Sequence, residues 1–201
     1  MYSPSVYLFA EKNIPEAKML DFKEELPSGT KVNQKKLAEQ ATLAAILYLE
    51  TSGSIKLDLI EEKTLFIKHK SLKATRLKEA NKLSSLEAGL FGYIQQNSSI
   101  KDAVYRLLRE DSSNPWQHTL GFVKHYLLES GIFKKVEGKK ILFIQTHKNV
   151  LERIPIEEEQ NFADFQKALE NISKNKDLYD KLLSDISGGI SSRLEKSSND
   201  D

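Results

Sequence analysis

Four histidines, His69, His118, His125 and His147, are the residues in this chain best suited to proton transfer or metal binding. His118 and His125 are seven residues apart, which places them on one face of a helix. A metal-binding helix carries a carboxylate one turn from its histidine, and none is expected one turn from either of this pair. A structural role is the simpler expectation for all four. Gly188-Gly189 and Gly89-Leu90-Phe91-Gly92 lack the spacing of a loop that cradles phosphate. No serine stands in the glycine-flanked turn that would expose it as a nucleophile. Glu157-Glu158-Glu159 reads as the first turn of a helix, where carboxylates complement the positive dipole end. Catalytic residues, metal ligands and cofactors are therefore expected to be absent, and the chain is not expected to be an enzyme.

Basic clusters are the remaining chemical signal. One run, Lys68 to Lys78, contains Lys70, Lys73 and Arg76; a second group is Lys134-Lys135 with Lys139-Lys140. These seven residues are the candidate ligands for an anion, whether a nucleic-acid phosphate or a lipid head group. The competing reading is that lysines line hairpin edges to keep strands from pairing with other chains. A DNA-reading helix would present arginine, asparagine or glutamine on its exposed face. The segment before the second lysine group offers Gln117, His118 and Lys124 but no arginine; Gln34, Lys35, Lys36 and Gln40 are somewhat better placed. Trp116, the one tryptophan, is expected in the core.

The elements that would carry these residues come from an internal echo. Leu47-Tyr48-Leu49-Glu50-Thr51-Ser52-Gly53 recurs as His125-Tyr126-Leu127-Leu128-Glu129-Ser130-Gly131. Farther on, Thr64-Leu65-Phe66-Ile67 is matched by Ile141-Leu142-Phe143-Ile144. Each copy reads as an amphipathic helix closed by a glycine in the left-handed conformation, then two short strands. The expected strands are Ile55–Leu59 with Leu65–Lys68, and Ile132–Val136 with Ile141–Gln145. Their expected tips are Glu61-Glu62-Lys63 and Glu137-Gly138-Lys139-Lys140. His69 and His147 take equivalent positions after these strands.

Other helices are expected over Lys35–Glu50, within Leu72–Gln96 and from Ser98 or Ser99 to about Glu110. Ser84 and Glu87 form a capping box, and Asn114-Pro115 opens the helix before the second hairpin. Phe162, Phe165, Leu169, Ile172, then Leu178, Leu182 and Ile186, continue at helical spacing until Gly188-Gly189 ends the pattern. Near the start, Val6–Ala10 is a strand or a helical start, and Leu26-Pro27-Ser28-Gly29 is a turn.

The chain has 201 residues, 39% hydrophobic and 29% charged, no cysteine and a net charge of +1. From Leu151 onward twelve Asp/Glu oppose seven Lys/Arg, whereas the first 150 residues hold 23 Lys/Arg and 17 Asp/Glu. A basic body with an acidic end suggests an anionic partner, or a basic face masked by the tail. Without cysteine, a signal-like start or a long apolar run, a cytoplasmic location with at most peripheral membrane contact is expected. The expected division is a helical domain over 1–151 with two helix–hairpin repeats, an acidic helical segment over 152–187 and a disordered tail over 188–201. The fold class is mainly α with small β-hairpins: two winged-helix-like units in one compact domain, with C-terminal helices.

Over roughly Leu43 to Leu151 the pattern resembles the Golgi-phosphoprotein family of phosphoinositide-binding adaptors. The residues that carry it are Ala45-Ile46-Leu47-Tyr48-Leu49-Glu50 through Gly53-Ser54-Ile55-Lys56-Leu57, then Ser99-Ile100-Lys101-Asp102-Ala103-Val104 and Asn114-Pro115-Trp116. Leu127-Leu128-Glu129-Ser130-Gly131-Ile132-Phe133 and Ile141-Leu142-Phe143 complete the set. The resemblance implies a non-enzymatic adaptor on an anionic membrane surface. It departs where the family binds its lipid: Gln117 and Leu120 stand at the arginine positions, and the family's lipid-site tryptophan has no counterpart. The alternative is a winged-helix nucleic-acid-binding or regulatory protein, and a protein partner suits either reading. Deleting Gly188 to Asp201 is expected to change binding only slightly.

Overall fold

Alanine and leucine dominate the segment after residue 34, and both favour helix. The computed structural model describes residues 34–64, 67–80, 83–108, 115–129, 133–141, 144–151 and 160–197. It begins with helix α1 (Gln34–Thr51). Leu37, Ala38, Ala41, Leu49 and every residue from Leu43 to Leu47 are buried, so apolar side chains surround most of this helix. A helix buried on all sides belongs at the centre of its neighbours. Thr42 is buried too, and its hydroxyl donates to the Ala38 carbonyl at 2.9 Å, so no polar group is stranded there. Gly53, at φ +68°, ends α1 as expected. Its N–H donates to Glu50 O at 2.8 Å while Ser54 N–H donates to Leu49 O at 2.9 Å, the paired closure that a left-handed residue permits.

A hairpin follows: β1 (Ile55–Thr64) and β2 (Ile67–Arg76), antiparallel, from Ile55↔Arg76 to Thr64↔Ile67. Both strands are longer than expected. The expected tip, Glu61-Glu62-Lys63, is strand, with Glu61 opposite Lys70, an opposite-charge pair of the kind that stabilises a ladder. Leu72–Arg76 is strand rather than helix. Leu72 and Ala74 alternate inward, opposite Leu59 and Leu57, which is a period of two.

Helix α2 (Ser85–Tyr93) opens with Glu87 accepting from the Ser84 N–H at 2.9 Å, with Glu87 buried. A two-residue strand missed by the sequence pattern, β3 (Ser98–Ser99), adds to β2 at Lys73 and Ala74 and completes a three-stranded antiparallel sheet, β1-β2-β3. Asn97, at φ 50°, makes the turn into it. Ser99 then caps α3 (Ile100–Leu107), its hydroxyl accepting from the Asp102 N–H at 3.3 Å.

Helix α4 (Pro115–Glu129) leads to the second hairpin, β4 (Phe133–Ile141) with β5 (Ile144–Leu151). The order of helix and antiparallel hairpin thus occurs twice. The expected tip, Glu137 to Lys140, again lies within a strand, and the register shifts between Glu137 and Lys140. One extra residue in β4 at that shift is a bulge. The last described pairs are Thr64↔Ile67 in the first hairpin and Ile141↔Ile144 in the second, and β1 is one residue longer than β4.

Helices α5 (Gln160–Lys174) and α6 (Lys176–Ser197) close the described chain. The expectation that Gly188-Gly189 ends the helix and starts a disordered tail fails: α6 continues to Ser197. Gly189 is there for close approach. A Cβ on it would meet Lys101 O at 2.7 Å and Val104 Cβ at 2.8 Å, so its missing side chain lets α6 lie against α3. Helix α1 touches α2, α4, α5 and α6, and α6 also touches α3, α4, α5 and β2. The fold is mainly helical with these small sheets. The readings of Val6–Ala10, the turn at residues 26–29 and the glutamates at 157–159 lie outside the described residues.

Candidate anion-binding surface

Strand β2 supplies three of the seven candidate ligands, each placed differently. Arg76 lies at the inner end of the hairpin, half-buried. Its Nε donates to Ile94 O at 3.1 Å, its Nη2 donates to Phe91 O, and the guanidinium stacks 4.0 Å over the Phe91 ring. These carbonyls belong to the C-terminal end of α2, where a cation suits the negative dipole end. The guanidinium thus ties the sheet to α2. Lys73 pairs with Glu62 at 3.1 Å, with only 20% of its side chain exposed. Lys70 is exposed and joined to Asp177 in the first turn of α6. Each shifts the other: hydrogen bonding and charge hold the Lys70 ammonium above the usual lysine range and the Asp177 carboxyl below the usual aspartate range.

Register shows what surrounds Lys70. Ile55, Leu57 and Leu59 share one face with Leu72, Ala74 and Arg76. The same face continues outward through Glu61↔Lys70 to Lys63↔Lys68. Its base is buried; its outer end carries three exposed lysines, Lys63, Lys68 and Lys70, against Glu61. Lys63 and Lys68 stand directly opposite, an arrangement that is destabilising for like charges. Placing Lys63 in the tip and ending the expected strand at Lys68 hid this grouping, although an alternating lysine pattern at Lys68 and Lys70 was its signal.

Lys134, Lys135, Lys139 and Lys140 all lie on β4, Lys134 opposite Val150, Lys135 opposite Asn149 and Lys140 opposite Gln145. Lys139 falls within the register shift. The side chains of this hairpin lie outside the described residues. Lys140 and Lys63 hold the same register position, one pair in from the end of their hairpins.

The histidines are dispersed. His69 and His147 are on different hairpins, facing Glu62 and Glu137. His118 meets Phe122 edge-on at 4.9 Å between ring centroids. His125 lies 3.0 Å from Glu129 one turn on, so the expectation that neither histidine of this pair has a carboxylate one turn away is wrong. Among the described residues no three His, Cys, Asp or Glu side chains group to hold a metal. Trp116 packs against the core, as expected, and the Lys35 ammonium sits 5.5 Å from its ring centroid, which brings the starts of α1 and α4 together. None of the described helices is long and apolar enough to cross a membrane. Neither protein-family models nor curated proteins match the chain.

Proposed function

We propose that this chain is a non-enzymatic binding protein, an adaptor whose β1–β2 hairpin contacts an anionic membrane surface. The observation that carries this reading is the outer end of the hairpin, where Lys63, Lys68 and Lys70 share one exposed face. With Lys70 paired to Asp177, Lys63 and Lys68 near an anionic bilayer contribute about 2 kcal/mol together, enough for reversible attachment but not for a permanent anchor. Lysine suits this role because its ammonium acts as a mobile point charge, whereas phosphate recognition of fixed geometry favours arginine.

The twofold helix–hairpin order supports reading the two units as winged-helix-like, with the hairpins as wings. The resemblance to the Golgi-phosphoprotein family points toward a lipid in the same way. A single defined head group has less support. Leu120, at one of the family's arginine positions, is fully buried, so α4 has no cation there to grip a phosphate. The proposed ligand is therefore the charge of the bilayer, not one lipid.

Co-sedimentation with phosphatidylcholine vesicles, with and without phosphatidylserine, tests this. Binding is expected only to the anionic vesicles and should weaken steeply as salt rises. Substituting Lys63→Ala with Lys68→Ala should lower the affinity by about tenfold or more. Binding to duplex DNA in place of vesicles would move the reading to a nucleic-acid-binding protein.

A further inference from the structure

We infer that the corner between α5 and α6 belongs to the same membrane-facing surface as the hairpin, through Lys174 and Lys176. This rests on the reading above and extends it to a part of the chain whose overall charge is acidic. The Lys70–Asp177 contact fixes the corner against the outer half of β2, and α6 packs on that strand. It leaves Lys176 one peptide from the contact and Lys68 one strand repeat, roughly 6.6 Å, along β2 from Lys70. Lys174 and Lys176 are both exposed.

The corner is a built turn. Asn175 caps α6, its side-chain oxygen accepting from the Leu178 N–H at 3.3 Å, and its carbonyl accepts from the Tyr179 N–H at 3.0 Å. Its N–H donates to Ile172 O at 3.0 Å. Lys174 lies in the last turn of α5, where the helix dipole favours a cation, so it needs no further explanation. Lys176 does. It is the first residue of α6, at the positive end of that helix, where a cation is disfavoured. Lys63 and Lys68 are likewise placed against local preference, as like charges directly opposed. Two unfavourable lysine placements, from segments more than a hundred residues apart, are joined through one ion pair. An anionic surface laid across both relieves both. Asp177 holds the two segments in position and reduces the patch's net charge, which keeps attachment reversible.

The full-length chain carrying Lys174→Ala and Lys176→Ala tests this beside the Lys63→Ala, Lys68→Ala pair, on phosphatidylcholine vesicles with and without phosphatidylserine. All four positions are exposed, and unchanged thermal unfolding checks that each variant is folded. Each pair is expected to weaken binding to the anionic vesicles by about tenfold and to flatten its salt dependence. If the hairpin pair loses binding and the corner pair binds like the parent chain, the corner is outside the surface and the adaptor reading survives. If the parent chain itself ignores phosphatidylserine, both readings fall. If the corner pair instead weakens binding to duplex DNA alone, the surface is real and its partner is nucleic acid, which overturns the membrane assignment.

Discussion

Glu50 and Glu87 are both acidic residues drawn into the packing, and they differ in what receives their charge. Glu87, fully buried, accepts from the Ser84 N–H, a donor that the helix start would otherwise leave unpaired. Glu50, half-buried near the end of α1, has its carboxyl held above its ordinary value of 4.5 by burial alone. A raised carboxyl pKa means the folded chain binds the proton more tightly than the unfolded chain, so stability falls as pH rises from about 4.5 through the raised value. Above that window the whole penalty is present. Glu50→Gln should therefore raise the midpoint of thermal unfolding at neutral pH and leave it unchanged near pH 3, where both variants are neutral. Equal gains at both pH values would show that burial of the charge is not the cause. The Glu87→Gln change should act in the opposite direction at neutral pH, since it weakens an occupied acceptor.

At the scale of elements, the sequence made helices and their ends legible where caps carry chemistry: Gly53 closes α1, Glu87 opens α2, Ser99 opens α3. It misplaced the hairpin tips. Glu61-Glu62-Lys63 and Glu137 to Lys140 have the composition of turns, yet strands extend through them, with Glu61 opposite Lys70 in one hairpin and a register shift between Glu137 and Lys140 in the other. Composition reports a residue's own preference, and register depends on what stands opposite. The candidate ligands were scattered for the same reason: Lys70 was recognised, while Lys63 and Lys68 gain meaning only once paired. Gly188-Gly189 is the corresponding case for helices, since glycine weakens a helix unless a neighbour needs the space. Here α3 needs it. Gly189→Ala should add helix propensity and still destabilise the chain by about 1–3 kcal/mol, because the methyl meets backbone and a branched side chain. Denaturant unfolding measures this, and a stabilised variant would mean that α3 and α6 can separate freely.

For the whole molecule, the acidic end of the chain is a packing partner as well as a counter-charge. Leu182, Ile186 and Ile190 of α6 are fully buried, and Ile172 of α5 nearly so. Deleting residues 188–201 removes Ile190 and the Gly189 contact with α3, so the truncated chain should lose several kcal/mol and unfold at a much lower temperature. The slight effect on binding expected from the sequence rested on most of the acidic charge lying before residue 188, and circular dichroism melts of the two lengths measure the loss of stability that comes with the deletion. Any vesicle assay on the truncated chain would then report unfolding as well as lost charge.

The position of α1 has a further consequence, for how the chain is made. Its apolar surface is covered in part by α5 and α6, which begin more than a hundred residues later. At about 5–20 residues per second, roughly seven to thirty seconds pass between the emergence of α1 and that of α6. During that interval a helix rich in alanine and leucine lacks two of its neighbours. Nascent chains of this protein should therefore depend on a chaperone that shields apolar helices, and ribosome-bound chains stopped before residue 160 should bind one more strongly than chains stopped after 197.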